Sequence, residues 1–541
     1  MFPTPSLPSL PSSPPIVWSV AGTDSGGGAG LAADARAVHA LGVHLCPVPA
    51  AITAQNSQAV TLVHALDASV LQAQLDALAH DLPPRVIKTG LLGSAANARA
   101  LARTLDRLRQ RAPVALVLDP VLRASTGAAF ADKELLRVYR DELLPRACVI
   151  TPNRREAQAL LGLPDADTSS VPEQALALQA LGAASVCITG GDAAERLAND
   201  WLHSPHASGW LSLPRVASVH HHGSGCTFAS ALAAALALGF VSADAAVLAK
   251  MLSTHALRQS YPLGQGAGPV CASAGFGTDP TLLPRLSLEP TAPTDWPQRQ
   301  RAQSPGVYAI VDSAQRVRQC LSAGVRTLQL RIKRPAGLAA TDPAWIEHLS
   351  GEIRAAQAAA QTHKATLYIN DHWQLALEQG ARALHLGQED LLALSAADRA
   401  RLAQARADGV ALGLSTHSLW ELCRAAALLP DAIACGPVWP TRSKDMPWHP
   451  QGQDNLAWWA HMAPAPVLAI GGILTPEQLA QTARSGAAGG CVLRGLGTDP
   501  ALSLPHWLAA WERGLQAARP APPDLPHPSL PGPAAPITPP D

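Results

Sequence analysis

Short apolar runs alternate with Ala- and Leu-rich stretches of helical period along residues 16–275. The predicted strands cover 16–21, 48–54, 86–91, 115–119, 147–151 and 185–189, and the predicted helices begin near Ala29 or cover about 70–80, 97–110 and 227–238. Strands covered by helices on both faces have near-continuous apolar sequences. The pattern therefore predicts an α/β domain in which helices cover both faces of a mostly parallel sheet, an αβα sandwich.

The second block, residues 306–517, alternates even more regularly. Its predicted strands cover 307–311, 327–332, 366–369, 383–386, 411–414, 432–435, 467–470 and 490–493. Eight strands, nearly all followed by a helix, are the pattern of a closed (β/α)8 TIM barrel.

Proline clusters mark the ends of these two blocks. Of 48 prolines, 22 fall in the segments 1–15, 276–305 and 520–541. Segments of this composition are expected to be extended or disordered. We therefore predict a disordered tail over 1–15, a linker over 276–305 and a second disordered tail over 518–541.

Charge and cysteine content exclude several classes of protein. The 41 basic and 41 acidic residues cancel, so no footprint for nucleic acid or an anionic membrane surface is expected. The longest apolar run, 231–241, is shorter than the ~20 residues of a membrane span. No signal-peptide pattern is present at the start. The nine cysteines include no C-x-x-C pair, which favours a reducing, cytoplasmic location.

The segment HGSGC, residues 222–226, leads directly into a predicted helix. Backbone N–H groups at a helix start, with small side chains that let an anion approach, form an anion site. Gly223, Ser224, Gly225 and Cys226 are therefore candidate catalytic residues, and the same field is expected to give the Cys226 thiol thiolate character. The alternative is a glycine cap beside a buried cysteine.

Other polar motifs of the first block follow its predicted strands. They are the glycine cluster 22–30 and the segments that contain Asp34, Gln55, Lys88, Asp119, Asn153 and Glu156. In open α/β sheets, ligands bind at the carboxyl ends of the strands. These motifs are therefore expected to line one site, with Lys88 among its catalytic candidates.

The first block resembles the ribokinase-like hydroxymethylpyrimidine and phosphomethylpyrimidine kinases of thiamine biosynthesis. The matching motifs are AGTDSGGGAG, AITAQN, VIKTGLLGS, LDPV, ITPNRREA, HGSGC and GQGAGP. The resemblance implies that Gln55, Gly22 and Asp34 hold the aminopyrimidine and that residues 223–226 surround the transferred phosphoryl group. Cys226 would stand where ribokinases use an aspartate to activate the substrate hydroxyl.

The same resemblance implies that Asn153 and Glu156 organise Mg²⁺ and the phosphates of ATP, with Asp119 as a further candidate on the metal side. Two departures concern cations. Many relatives have lysine in V-x-K-G-G, where this chain has Thr189, and others have lysine in A-K-S-G, where it has Ser125. Whether their loss impairs the second phosphorylation stays open.

Polar residues of the second block also follow its strands. With a side-chain period of two, Gln329, Arg331 and Lys333 point the same way, and buried cations on one line require an anion. Asp371 and Asp390 follow adjacent strands, where two carboxylates are positioned to share Mg²⁺. Barrel active sites lie at this face.

These residues belong to motifs that resemble thiamine-phosphate synthase: QLRIK, YIND, LHLGQED, LGLSTHS, GPVWPTRSK and AIGGI. The resemblance implies that Mg²⁺ binds to Asp371 and Asp390 and that the pyrimidine diphosphate is bound by Gln329, Arg331, Lys333, Asn370, Ser415 and Lys444. Thr441, Ser443 and Gly472 would bind the thiazole phosphate. Arg494 replaces a usual serine and would either add a phosphate contact or crowd the phosphate.

The expected protein is a bifunctional transferase. Its first domain would use ATP to phosphorylate hydroxymethylpyrimidine twice, and its second would join the product to hydroxyethylthiazole phosphate. All expected partners are small molecules, and a homo-oligomer is left open. The alternatives are a pyridoxal-type kinase as the first domain, or one degenerate domain that serves as a ligand-binding or regulatory module.

Overall fold

The structure is a computed structural model that describes residues 13–122, 130–164, 168–191, 195–296, 305–441 and 447–533. Two α/β domains follow one another along the chain, as the alternating apolar pattern predicts. Within the described residues, no helix combines the length and the apolar character needed to cross a membrane.

The first domain is built on a ten-stranded sheet. Its strands are β1 (Ile16–Asp24), β2 (His44–Gln55), β3 (Val60–Ala65), β4 (Val86–Thr89), β5 (Ala115–Leu118), β6 (Val149–Ile150), β7 (Val186–Ile188), β8 (Leu197–His203), β9 (Ser208–Pro214) and β10 (Arg285–Ser287). Its helices are α1 (Gly30–Ala40), α2 (Ala68–Asp81), α3 (Ala95–Arg109), α4 (Lys133–Val138), α5 (Arg154–Leu161), α6 (Val171–Ala180), α7 (Ser224–Ala237) and α8 (Ser242–Arg258).

The strand order is β10-β9-β8-β7-β6-β5-β4-β1-β2-β3. The strands from β7 to β2 pair in parallel, whereas β3, β8, β9 and β10 pair antiparallel with their neighbours. The parallel centre brings the carboxyl ends of β1, β4, β5, β6 and β7 to one edge, where the predicted site residues follow.

The second domain is a closed barrel of eight parallel strands. They are β11 (Gly306–Val311), β12 (Thr327–Leu330), β13 (Thr366–Asn370), β14 (Ala383–Leu386), β15 (Ala411–Thr416), β16 (Ala432–Cys435), β17 (Val467–Ala469) and β18 (Gly489–Val492). The helices are α9 (Ala314–Ser322), α10 (Pro343–Thr362), α11 (Trp373–Glu378), α12 (Gln388–Ala393), α13 (Ala396–Ala407), α14 (Leu419–Ala427), α15 (Gly452–Met462), α16 (Pro476–Arg484) and α17 (Pro500–Gln516).

The predicted linker over 276–305 is too long. Residues Phe276–Thr278 and Pro280–Leu282 form short 3-10 helices, and β10 pairs antiparallel with β9. Phe276, Leu282 and Leu286 are buried, so apolar residues between the prolines anchor this segment to the first domain.

The predicted disorder of 518–541 is also wrong for its described part. Residues 517–533, here called the C-terminal strap, pack along both domains. Asn455 donates to the carbonyl oxygen of His527 at 3.0 Å and accepts its N–H at 2.8 Å, and Leu530 is buried. A Cβ on Gly532 would lie 2.5 Å from the carbonyl oxygen of Phe240 in the first domain. Proline limits the conformations of the unfolded segment, so little entropy opposes its docking.

The two domains meet through buried surfaces. Helices α7 and α8 are buried on nearly all sides, as expected for helices that are apolar all round. Asp244 on α8 accepts the N–H of Trp420 at 3.1 Å, near the start of the barrel helix α14. Trp458 on α15 donates its indole N–H to the carbonyl oxygen of Gly277 at 2.7 Å.

Burial raises the pKa of Asp244 to about 8, although backbone N–H groups of the barrel favour its charged form. An unfolded aspartate titrates near ~3.9. Between about pH 4 and pH 8 the folded chain therefore retains a proton that the unfolded chain has released, and this group lowers stability as pH rises through that window.

We expect Asp244→Asn, which cannot ionise, to reduce the fall in melting temperature between pH 5 and pH 8. Asp81→Asn, at an exposed site, is the control, and an unchanged pH profile for Asp244→Asn would contradict the expectation.

Candidate active sites

A buried ammonium group lies at the centre of the first domain's site. Lys88, on β4, is fully buried, and its Nζ is 2.8 Å from Asp34 Oδ1 and 3.7 Å from Asp119 Oδ2. Burial lowers the pKa of Lys88, but Asp34, Cys226 and Asp119 together raise it above its ordinary value. Lys88 is therefore a permanent cation at the carboxyl edge of the sheet.

Asp34 is held by several contacts inside the domain. It is fully buried, and its carboxylate also accepts hydrogen bonds from Ser19 at 2.6 Å and Ser230 at 2.7 Å. Both carboxylate oxygens of Asp34 therefore have partners inside the domain, and the contact between Asp34 and the aminopyrimidine stays a prediction. Asp34 holds Lys88 in place.

Cys226 and Asp119 flank Lys88 with altered acidities. Burial raises the pKa of the Cys226 thiol to about 12 despite the opposing effect of Lys88. The helix start predicts thiolate character for Cys226, and desolvation opposes it. Burial also raises the pKa of Asp119, to about 6, against the effect of Lys88.

The helix start above Lys88 has the geometry of an anion site. α7 begins at Ser224, and Gly223 precedes it with φ 84°, a left-handed conformation that glycine adopts without strain. A Cβ on Gly223 would lie 2.2 Å from the carbonyl oxygen of Gly28. The N–H groups of the first helical turn, including those of Gly225 and Cys226, have no partner within the helix.

Asp24 and His222 join the two glycine loops, and neither received a role from the sequence. Asp24 accepts N–H groups of Gly28 at 3.0 Å and Ala29 at 2.8 Å. His222 Nε2 is 2.9 Å from Asp24 Oδ2 and 3.2 Å from Gln55 Nε2. Burial raises the pKa of Asp24, but the His222 contact and the backbone donors leave it lowered overall. The charged Asp24 therefore orders the loop beside Gln55, and Gly22 lies buried at the loop's base.

Asn153 and Glu156 form a capping box at the start of α5. Glu156 accepts the N–H of Asn153 and Asn153 accepts that of Glu156, both at 2.9 Å. Asn153 also forms an isolated parallel bridge with Thr189. This arrangement places α5 at the edge of the sheet, and the predicted contact with Mg²⁺ and ATP stays a prediction.

In the barrel, the predicted line of polar residues on β12 is shorter than expected. Gln329 is buried and donates to Asn370 Oδ1, but β12 ends at Leu330. Lys333 is exposed in the loop that follows, so the period of two does not extend to it. Arg331 remains close enough to His385 to lower the imidazole pKa.

His385 and Ser415 continue this polar layer. His385 Nε2 lies 3.0 Å from Ser415 Oγ. Burial is the main cause that lowers the pKa of His385 to about 4, and the nearby charge of Arg331 contributes to it. Gln388 donates to the carbonyl oxygen of Ser415 at 2.7 Å and accepts from Arg424 at 3.0 Å. The imidazole of His385 is neutral, so the fixed positive charge here comes from arginine.

Asp371 and Asp390 are the two carboxylates predicted to hold Mg²⁺. Asp371 is exposed with φ 66°, and Asp390 accepts the N–H of Gly387 at 2.7 Å. Among the described residues, no group of three or more histidine, cysteine, aspartate or glutamate side chains could hold a metal ion.

The glycines after β17 form a tight support for the loop after β16. Gly472 has φ 73°, and a Cβ there would lie 2.6 Å from Trp439 Cβ. Beside it, Arg494 donates to Thr441 Oγ1 at 3.4 Å. Ser443 and Lys444 lie outside the described residues.

Fold and sites together define a kinase domain of ribokinase-like fold followed by a TIM-barrel synthase domain, both of which are transferases. The phosphomethylpyrimidine kinase family matches residues 24–271, and the thiamine monophosphate synthase family matches residues 307–496. The chain belongs to the family of bifunctional thiamine-biosynthesis enzymes that combine these two activities.

Three comparisons describe what the chain is similar to. The hydroxymethylpyrimidine/phosphomethylpyrimidine kinase of Synechococcus elongatus is 42% identical over 47% of this chain and 96% of its own length. The probable thiamine biosynthetic bifunctional enzyme of Oryza sativa, named as chloroplastic, is 31% identical over 85% of this chain and 81% of its own length. The crystal structure of an ADP complex of Bacillus subtilis pyridoxal kinase is 31% identical and covers 48% of this chain and 98% of that chain, with a TM-score of 0.44.

Removal of the buried ammonium should destabilise the first domain. Lys88→Met leaves Asp34 buried without its cation, and breaking a buried ion pair in this way lowers the free energy of unfolding by about 3–5 kcal/mol. Urea unfolding of the full chain measures the change. Lys133→Met, which removes an exposed lysine, should alter stability by about 0.5 kcal/mol or less, and equal stability of the two variants would contradict the role of Lys88.

Proposed function

We propose that the kinase reaction takes place between the loop 22–30 and the start of α7, above the Lys88 cluster. ATP donates a phosphoryl group first to the hydroxymethyl group of 4-amino-5-hydroxymethyl-2-methylpyrimidine and then to the resulting phosphate. The observation that carries this proposal is the fully buried Lys88 among Asp34, Asp119 and Cys226. Phosphoryl transfer depends mainly on positioning and on stabilisation of spread negative charge.

The pyrimidine is bound on the Gln55 side of this cleft. Gln55 contacts His222 at 3.2 Å, and His222 contacts Asp24 at 2.9 Å. This chain of contacts orients the Gln55 amide, which can both donate to and accept from an aminopyrimidine edge. Gly22 provides close backbone approach at the base of the cleft.

The N–H groups of residues 223–226 stabilise the charge that develops on the transferred group. Because the Cys226 thiol has a pKa raised to about 12, it is a neutral group that orients the substrate hydroxyl. Asp119, with a pKa raised to about 6, is ionised at neutral pH and is the better candidate to attract the hydroxyl proton. Asn153 and Glu156 act by placing the start of α5 near the nucleotide.

The barrel joins the pyrimidine diphosphate to hydroxyethylthiazole phosphate. The bond between the pyrimidine CH₂ and oxygen breaks as diphosphate leaves, and the thiazole nitrogen attacks the carbon to give thiamine phosphate. Arg331, Lys333 and Lys444 stabilise the leaving diphosphate, while Gln329, Asn370 and Ser415 orient the substrate. Thr441, Ser443 and Gly472 bind the thiazole phosphate.

The barrel carboxylates fit a magnesium ion. Mg²⁺ in proteins is usually bound by one or two carboxylates together with substrate phosphates and waters, and Asp371 and Asp390 supply two. Hydrogen bonding from Gly387 to one oxygen of Asp390 fixes the orientation of that carboxylate. When bound, the ion would neutralise charge on the departing diphosphate.

The pyridoxal-type kinase remains the alternative for the first domain's substrate. Parallel assays of the full chain with hydroxymethylpyrimidine and with pyridoxal distinguish the two, because both reactions release ADP. A coupled assay with hydroxymethylpyrimidine, thiazole phosphate, ATP and Mg²⁺ then tests the whole sequence. A marked preference for pyridoxal, or no thiamine phosphate in the coupled assay, would contradict the proposal.

Single substitutions should separate the two activities. Cys226→Ala removes the group that orients the hydroxyl and should lower kinase turnover by about 10²-fold, without changing coupling of supplied diphosphate. Arg331→Ala should lower coupling by about 10²-fold and leave kinase turnover unchanged. Each variant is the control for the other, and loss of both activities in a folded variant would contradict the two-site assignment.

Arg494 should strengthen binding of the thiazole phosphate, because its guanidinium contacts Thr441 on the phosphate side. Arg494→Ala should raise KM for hydroxyethylthiazole phosphate roughly tenfold, the loss of one charge-assisted hydrogen bond, with KM for the pyrimidine diphosphate unchanged. Arg513→Ala, at an exposed site on α17, is the control. A lower KM in Arg494→Ala would show instead that arginine crowds the phosphate.

A further inference from the structure

The carboxyl edge of the kinase sheet continues beyond the Lys88 cluster to β6 and β7. In the strand order, β6 and β7 lie on the far side of β5 from β1 and β2, whose ends carry Asp24 and Gln55. If the pyrimidine occupies the β1–β2 end and the transferred group lies over β4 and β5, the β6–β7 end is left for the phosphoryl donor.

The turn after β7 is held rigidly at this end of the edge. Gly190 donates its N–H to Asp200 Oδ1 at 2.9 Å, and Lys250 donates to Asp200 Oδ2 at 2.7 Å. The side chains of this ion pair are each only 5% exposed. A Cβ on Gly190 would lie 2.0 Å from the carbonyl oxygen of Asn199, so the turn requires glycine.

The guanidinium of Arg154, the first residue of α5, packs against this turn. Its Nη2 lies 3.5 Å from the position that a Cβ on Gly190 would take. Its Nε is buried and has no hydrogen-bond partner in the described part of the chain. Its ion pair with Glu195 is long, at 3.7 Å, between side chains that are 35% and 44% exposed, and such pairs contribute little.

A second arginine at this turn has a different role. Arg215 donates to the carbonyl oxygens of Glu195 at 2.7 Å and Gly191 at 2.9 Å, so it stabilises the loop. Arg154 instead retains donors that the fold does not use. A cation with unused donors beside a glycine turn matches the charge and hydrogen-bonding needs of a polyphosphate.

We propose that Arg154 binds the phosphate groups of the nucleotide and replaces the cation that Thr189 lacks. Asn153, which precedes Arg154, pairs with Thr189 in an isolated parallel bridge. Side chains at positions 154 and 189 therefore reach the same part of the sheet edge. On nucleotide binding the guanidinium exchanges its weak contact with Glu195 for phosphate oxygens. This inference rests on the proposed kinase function of the first domain.

Kinetics of the full chain with varied ATP test the inference. Arg154→Ala should raise KM for ATP about 10- to 100-fold, the range expected for loss of hydrogen bonds to a charged group. KM for hydroxymethylpyrimidine should stay within twofold, and so should the coupling rate of the barrel, which reports on folding. Calorimetry with ADP should show the same loss of affinity.

Two further variants make the result specific to this position. Arg155→Ala removes the exposed neighbour and should leave KM for ATP within twofold of the wild type. Thr189→Lys in the Arg154→Ala background should recover most of the lost affinity. An unchanged KM for ATP in Arg154→Ala, equal losses in both arginine variants, or no recovery with Thr189→Lys would overturn the inference. A wild type without kinase activity would instead contradict the proposed function.

Discussion

The ion pair between Lys88 and Asp34 is the interaction on which the kinase site depends. Its partners come from four elements, because Ser19 lies on β1, Asp34 on α1, Lys88 on β4 and Ser230 on α7. A buried charge is tolerated only if its partners are all in place. The same contacts that satisfy Asp34 therefore fix α7 relative to the sheet, and with it the anion site at the helix start. The cluster that stabilises the fold is thus also part of the proposed catalytic site.

The barrel positions its polar groups in another way. Gln329 with Asn370, and His385 with Ser415, are hydrogen-bonded pairs without net charge, and burial keeps His385 neutral. Neutral pairs can be buried at much lower desolvation cost than ions. The cations Lys333, in a loop, and Arg494, at the start of a short 3-10 helix, are exposed beyond this layer, where water solvates them until the proposed phosphate binds. Neutral hydrogen bonds therefore order much of the barrel mouth, and Lys333 and Arg494 add charge at its rim.

Much of this architecture follows from the pattern of apolar residues. All eight barrel strands and the parallel centre of the kinase sheet lie where that pattern predicts them. The antiparallel strands β3 and β8 were not predicted. In β8 the apolar residues are interrupted by buried Asn199 and Asp200, and β3, although its sequence VTLVHA is largely apolar, is mostly exposed. The ion pair between Asp34 and Lys88 could not be predicted, because sequence does not show which way a helical side chain points. His222 received no role of its own in the run of three histidines 220–222. Its pairing with Asp24 joins the two glycine-rich motifs that sequence analysis had identified.

Two lysines and two arginines of the described part of the chain take different positions, and burial explains the difference. Only six of the 41 basic residues are lysines, and two of them, Lys88 and Lys250, are buried against aspartates. An ammonium is a compact charge with three donors, which a few carboxylate and hydroxyl oxygens can satisfy, whereas a buried guanidinium must satisfy five. Arg154 and Arg494 instead lie at the edges of the two sites, where part of the fork stays solvated and can bind phosphate oxygens pairwise. Lys88 and Lys250 are thus point charges that hold the fold, whereas Arg154 and Arg494 are planar forks placed where the proposed phosphates would bind.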